Sequence, residues 1–241
     1  MTVERLLIVD LFPSLLQPEG DHGNAVVLAH RARARGVAAD LLVVHPGDAV
    51  PDDAPLYLLG GSEDVDVPEC ARRLRDGGEL TRAVSAGAAV LGVGAGFEVL
   101  ARRFEDLDGD AHEGVGLLDV EMTRSSLAAG PMVTEPSLRW GLPALSGYEY
   151  HVNDARLGPR ASALAALEVG VGNGPGGEGN HDGAVSGRVV GTWLHGPVLP
   201  RNPALADLLL GLVGVEPTPL DDRLADRVRA ARIHEARAAG R

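Results

Sequence analysis

Between Ala88 and Ala101 the chain reads AAVLGVGAGFEVLA, an apolar run that stops on small residues and passes directly into a helical pattern. No other segment restricts the fold as tightly. A buried strand that turns at once into a helix needs glycine where the two backbones close on each other. The turn also puts its apex residue, here Gly94, into a strained conformation with backbone N–H groups nearby. Gly94 has no side chain, so the turn carries no nucleophile. Gly92, Gly94 and Gly96 give G-x-G-x-G, but Phe97 stands where a dinucleotide fingerprint needs its third glycine, and the strand is the fourth of its series. Nicotinamide and flavin binding are not expected.

The flanking pattern supports an α/β fold. Leu6 to Leu11 (LLIVDL), Leu41 to His45 (LLVVH) and Leu56 to Leu59 (LYLL) read as buried strands. Asn24 is the expected N-cap of a helix that ends at Gly36, and a longer helical stretch runs from Val67 to Gly87. A further helix is expected over GFEVLARRF, starting at Gly96. Strand, helix, strand at this spacing predicts a doubly wound, mostly parallel sheet with helices on both faces. After Gly109 the chain becomes β-rich, in GVGLLDVEMTR, LSGYEYHV, LAALEVGVG and GRVVGTWLHG. The glycine-dense VGNGPGGEGNHDGAVSG reads as a mobile loop. Helices close the chain over about 203–240. No repeat or linker divides it, so residues 1–241 are expected to form a single domain.

Composition removes several functions. All 22 basic residues are arginine, against 34 acidic ones, which excludes lysine-based phosphate loops and Schiff bases. The net charge of −12 argues against a nucleic-acid partner. A single cysteine, Cys70, permits neither an internal disulfide nor a cysteine-based zinc cluster, and it lies in a helical stretch where a structural role is expected. No metal site is expected. The opening MTVERLLIVDLF lacks the form of a signal peptide and no apolar run reaches 18 residues, so a cytoplasmic protein without a membrane span is expected.

The second informative segment is GTWLHGPVLPRNP, Gly191 to Pro203. His195 ends a strand and is turned at once by Gly196 and Pro197. An imidazole there suits activation of a nucleophile offered by another strand end. A hydrogen-bonded structural histidine fits the same pattern.

With these segments in view, the chain resembles the GatD-type subunits of lipid II isoglutaminyl synthase, within the CobB/CobQ-like class I glutamine amidotransferases. The likeness runs through DLFPSLLQPEGDHGN, LYLLGGSED, VLGVGAGFEVLA, GVGLLDVEMTR, SGYEYHVNDARLG and GTWLHGPVLPRNPALADLLL. It implies a class I amidotransferase-like, flavodoxin-like fold. It also implies glutamine hydrolysis by a Cys–His pair, with ammonia passing to a MurT-like, Mur-ligase-type partner in a heterodimer. That partner would hold ATP and Mg; this chain would hold no cofactor.

On the same resemblance His195 matches the family's catalytic histidine, and Gly60, Gly61, Ala95, Glu98 and Arg124 fall on substrate-binding positions. The family's nucleophilic cysteine falls on Gly94, where no thioester can form. Losing such a nucleophile costs on the order of 10⁴ or more in kcat. Other departures gather around the same site: Ala95, Glu98, Ser62, His22 and the stretch Val152-Asn153-Asp154. The expectation is a catalytically degenerate subunit serving as scaffold or regulator. The alternatives are a working glutaminase subunit for amidation of the lipid II stem-peptide glutamate, and a small-molecule binding module covered by the 172–183 loop.

Overall fold

The computed structural model describes residues 3–16, 20–61, 67–177 and 180–239. The chain opens with β1 (Arg5–Leu11), α1 (Pro13–Leu16), α2 (His22–Ala34), β2 (Ala38–Val44) and β3 (Leu56–Leu59). It continues through α3 (Val67–Gly77), α4 (Glu79–Ser85), β4 (Ala89–Val93) and α5 (Ala95–Leu100). A run of strands follows: β5 (Arg103–Glu105), β6 (Ala111–Glu113), β7 (Val120–Thr134), β8 (Ser146–Leu157), β9 (Ala165–Val169), β10 (His181–Asp182), β11 (Ala184–Ser186) and β12 (Val189–Thr192). Helices α6 (Val198–Arg201), α7 (Pro203–Leu212) and α8 (Arg223–Ala239) complete the described chain.

The first sheet has the order β11-β12-β4-β3-β1-β2. All its neighbours are parallel except the β11–β12 edge pair. Helices α2, α6 and α7 pack on one another, with α2 against β1 and β2 and α7 against β4; α3 packs on α5, which lies against β4, β3 and β12. This is the doubly wound α/β sheet that the sequence predicts. Its strands β3 and β4 are buried along their whole length, as strands covered on both faces must be. The second sheet is mainly antiparallel, built on the long β7–β8 ladder with a bulge between Arg124 and Ala128.

The two sheets meet where chemistry is expected in such folds, beyond the carboxyl ends of the parallel strands. The chain leaves β12 through Leu194, and His195 pairs with β8, its N–H donating to Tyr148 O at 2.7 Å. Trp193 is fully buried at this junction, with Phe97 edge-on to its ring at 5.1 Å between centroids.

Several local expectations are corrected. Helix α2 begins two residues before Asn24, after Asp21, because the Asn24 side chain is taken up elsewhere: its Nδ2 donates to Asp21 Oδ1 and its Oδ1 accepts from Leu199 N–H. The single helix expected over Val67 to Gly87 is two, broken at Gly78 with φ 70°. The helix after Gly94 stops at Leu100, since Ala101 is extended and Arg103 to Glu105 join the second sheet. The glycine-dense segment is no free loop in its described part. Asn173 is buried and its side chain exchanges hydrogen bonds with Gly183, while Val171 and Gly172 N–H groups donate to Glu149. No helix among the described residues is long and apolar enough to cross a membrane.

Candidate functional site

Gly94 links β4 to α5 with φ 53° and ψ −115°, a conformation that L side chains rarely adopt. The turn is pinned on both sides. Gly94 N–H donates to Thr192 O at 2.9 Å, and its carbonyl accepts from Phe97 and Glu98 N–H. Gly92 and Gly96 are required by contact rather than dihedral: a Cβ on Gly92 would run into the Gly96 carbonyl at 2.6 Å, and one on Gly96 would overlap Leu59 of β3. The glycine spacing therefore serves the strand–helix approach.

Over this turn lies the His195 imidazole, 3% exposed. A Cβ at position 94 would sit 2.5 Å from His195 Nε2 and closer still to Cε1. A Cβ at Gly61 would sit 2.7 Å from Nδ1. The ring thus rests in a socket floored by two glycines and occupies the space where any side chain at 94 would begin.

Asp21, which the sequence reading did not single out, completes this group. It is 2% exposed, its Oδ2 lies 4.0 Å from His195 Nδ1, and the same oxygen accepts Gly61 N–H at 2.8 Å. The Gly61 amide is thereby committed, and the Gly60 carbonyl accepts Gly96 N–H at 3.0 Å. Ala95, the first residue of α5, has no intrahelical acceptor for its own N–H, which makes that amide the natural donor toward an anion at the turn. The signal that points to Asp21 is its place: an acid at the start of α2, beyond the carboxyl end of β1. His22 is drawn aside, with Nδ1 2.7 Å from Asp10 Oδ2.

Next to the elbow is a cleft of about 220 Å³ bordered by Ala95, Glu98, Phe104, Asn153 and Trp193, among others. Asn153 Nδ2 donates to Glu98 Oε1 and to Glu105 O, each at 3.0 Å. His151 stacks on Trp193 with ring centroids 4.0 Å apart. Its Nδ1 donates to Asn153 O at 3.0 Å, and its Nε2 lies 3.6 Å from Glu149 Oε2. Behind Trp193 the carboxyl of Asp182 is fully buried and accepts from Thr192 Oγ1 and Trp193 N–H; burial pushes its pKa up to about 6.

The structure thus gathers Gly60, Gly61, Gly94, Ala95 and His195 at one point and sets Glu98 on the adjoining cleft. Arg124 stands outside the cleft lining; its N–H donates to Glu105 and its guanidinium to Asp106 O. Ser62 lies outside the described residues. Asp154 faces the glycine-rich segment, accepting Gly176 N–H at 2.8 Å, and the described residues of 172–183 do not border the cleft. Cys70 is buried in α3, as expected of a structural thiol.

Residues 22–203 match the model of the CobB/CobQ-like glutamine amidotransferase domain. Cobyric acid synthases of Brucella canis and Brucella melitensis are each 35% identical over 170 residues, covering 66% of this chain and 32% of theirs. The chain spans about a third of the length of these relatives. Among solved structures, the glutaminase domain of Trypanosoma brucei CTPS, determined with bound acivicin, aligns with a TM-score of 0.52 at 12% identity, over 88% of this chain and 95% of that one. That likeness is one of fold.

Proposed function

The chain belongs to the CobB/CobQ-like glutamine amidotransferase family, and from that premise we propose that it is a GatD-type subunit that no longer hydrolyses glutamine and acts as scaffold or regulator of a MurT-like, Mur-ligase-type amide ligase. One observation carries the reading. The imidazole of His195 fills the space directly above Gly94, and nothing at Gly94 can attack an amide carbonyl. The remaining parts of a hydrolytic site, an acid beside a histidine and a helix N-terminus at the turn, have no nucleophile to serve. Cys70, the one thiol in the chain, lies in α3 and away from the cleft lining.

On this reading ATP and Mg belong to the partner, which activates a carboxylate and takes free ammonia or another amine. The test is to co-express the chain with a Mur-ligase-like enzyme encoded beside it and to assay ATP-dependent amide formation. Glutamine and ammonium are supplied in turn as the only nitrogen source. Activity with ammonium alone that still requires this chain supports the proposal. Glutamine-driven activity in a preparation freed of contaminating glutaminases overturns it.

A further inference from the structure

Away from the elbow, a cavity of about 210 Å³ opens between the β7–β8 ladder and the helices α6 and α8. Arg201, the last residue of α6, and Arg232 of α8 both border it. Arg201 is half-buried, and no carboxylate among the described residues pairs with it. Its one hydrogen bond among them is a long contact of 3.5 Å from Nη2 to Gly196 O. Burial and the neighbouring Arg232 charge hold its pKa below the ordinary arginine value. A guanidinium partly out of water, beside a like charge and without a counter-ion, is a costly arrangement that a bound anion relieves. The backbone that carries it is fixed. Asn202, the next residue, accepts Ser146 N–H on Oδ1 at 3.0 Å and donates from Nδ2 to Ser146 O at 2.9 Å.

Ser146 supplies an independent sign of a ligand. It is 2% exposed and borders the cavity. Its hydroxyl makes no hydrogen bond among the described residues and yet is not sealed off, so a group in the cavity can reach it. Nε and Nη1 of Arg201 are open in the same way. Arg232 is shared with Glu235 at 2.9 Å, but both side chains are exposed, where such a pair is weak and yields to a stronger partner. Pro131, Met132 and Ala236 add hydrocarbon to the wall.

Two guanidinium forks and a hydroxyl around one small cavity suit a tetrahedral dianion better than a planar carboxylate. Each fork can hold two oxygens, and the hydroxyl a further one. We propose that this cavity binds a phosphate group, either inorganic phosphate or the phosphoryl end of a small ester. The site is separate from the elbow and does not depend on whether glutamine is hydrolysed.

The test titrates the full chain by calorimetry at constant ionic strength with inorganic phosphate, glycerol phosphate and glutarate. A phosphate is expected to bind saturably, and glutarate about tenfold or more weakly. Saturation by the ester alone assigns the site to a phosphorylated molecule, and saturation by inorganic phosphate assigns it to the free ion. Arg201→Gln and Arg232→Gln are each expected to weaken binding by about tenfold or more. Glu235→Gln is expected to tighten it about two- to fivefold, since it frees Arg232 and removes a like charge from the rim. The Arg232 and Glu235 side chains are exposed, so their variants are expected to retain the parent thermal midpoint, which is checked. No saturable heat from either phosphate overturns the inference, as does an unchanged affinity in Arg232→Gln. Glutarate bound as tightly as phosphate also overturns it, and would mark the cavity as a seat for carboxylates.

Discussion

Substituting Gly94 by alanine adds one methyl group, and the structure specifies two separate penalties for it. The first is conformational. At φ 53° and ψ −115° a non-glycine residue carries strain of about 1–3 kcal/mol. The second is steric: the new Cβ falls 2.5 Å from His195 Nε2, so a buried imidazole must move, which adds about 1–3 kcal/mol in a packed interior. Gly36→Ala isolates the first penalty, since Gly36 has φ 79° and a Cβ there meets nothing within 4 Å; its expected loss is about 1–2 kcal/mol. For a chain of this size 1 kcal/mol moves Tm by roughly 2–4 °C. Gly94→Ala is therefore expected to lower Tm by about 12 °C and Gly36→Ala by about 4 °C in differential scanning calorimetry. Removing the ring should relieve the overlap, so Gly94→Ala combined with His195→Ala is expected to lose about 1–3 kcal/mol less than the two single changes summed. Equal losses for the two alanine variants, or strict additivity in the double variant, would refute the account of His195 as the occupant of the socket.

Three further outcomes follow from the packing and charge. Asp182 has a folded pKa raised from the ordinary carboxyl value to about 6, so its neutral form stabilises the fold below about pH 4 and that contribution fades as pH rises through 6. Asp182→Asn should hence gain stability relative to the parent across that window, up to about 3 kcal/mol above pH 7; a difference that is constant with pH in urea titrations would contradict it. Arg31, 5% exposed, makes bidentate pairs with Asp207 and Asp222, and Arg31→Leu is expected to cost about 1–3 kcal/mol, because Asp222 loses these bonds while Asp207 keeps Arg35. A loss under about 1 kcal/mol in the same titrations would show the pairs to be dispensable. Cys70 is 1% exposed, so a thiol reagent should label the native chain only at the rate of unfolding, and prompt labelling would place it elsewhere.

The sequence was legible where local pattern and burial agree. Leu56 to Leu59 is a strand with the expected ends because four consecutive apolar residues lie between two helical layers. The turn at Gly94 was legible because glycines at this spacing are the local signature of a strand passing directly into a helix, although the contacts that demand Gly94 and Gly96 come from His195 and Leu59. Reading failed where the deciding partner is distant. Arg103 to Glu105 leave the helical pattern because strands at 111 and 121 pair with them. The glycine-dense segment looked mobile, yet a Cβ at Gly172 would strike the His181 backbone and one at Gly176 would meet Asp154 Oδ2 at 2.6 Å. Asp21 was hidden because its meaning depends on Gly61, 40 residues away, and on His195, far beyond.

The socket beneath His195 also makes position 94 a one-way door. A chain that exchanges a side chain there for glycine is released from backbone strain and leaves room into which an imidazole can settle. The reverse exchange meets both obstacles at once, because the ring must withdraw before the new side chain can enter. A return to a side chain at this apex thus requires two coordinated changes, while departure requires one. Such a position is easily left and rarely revisited, whatever first emptied it.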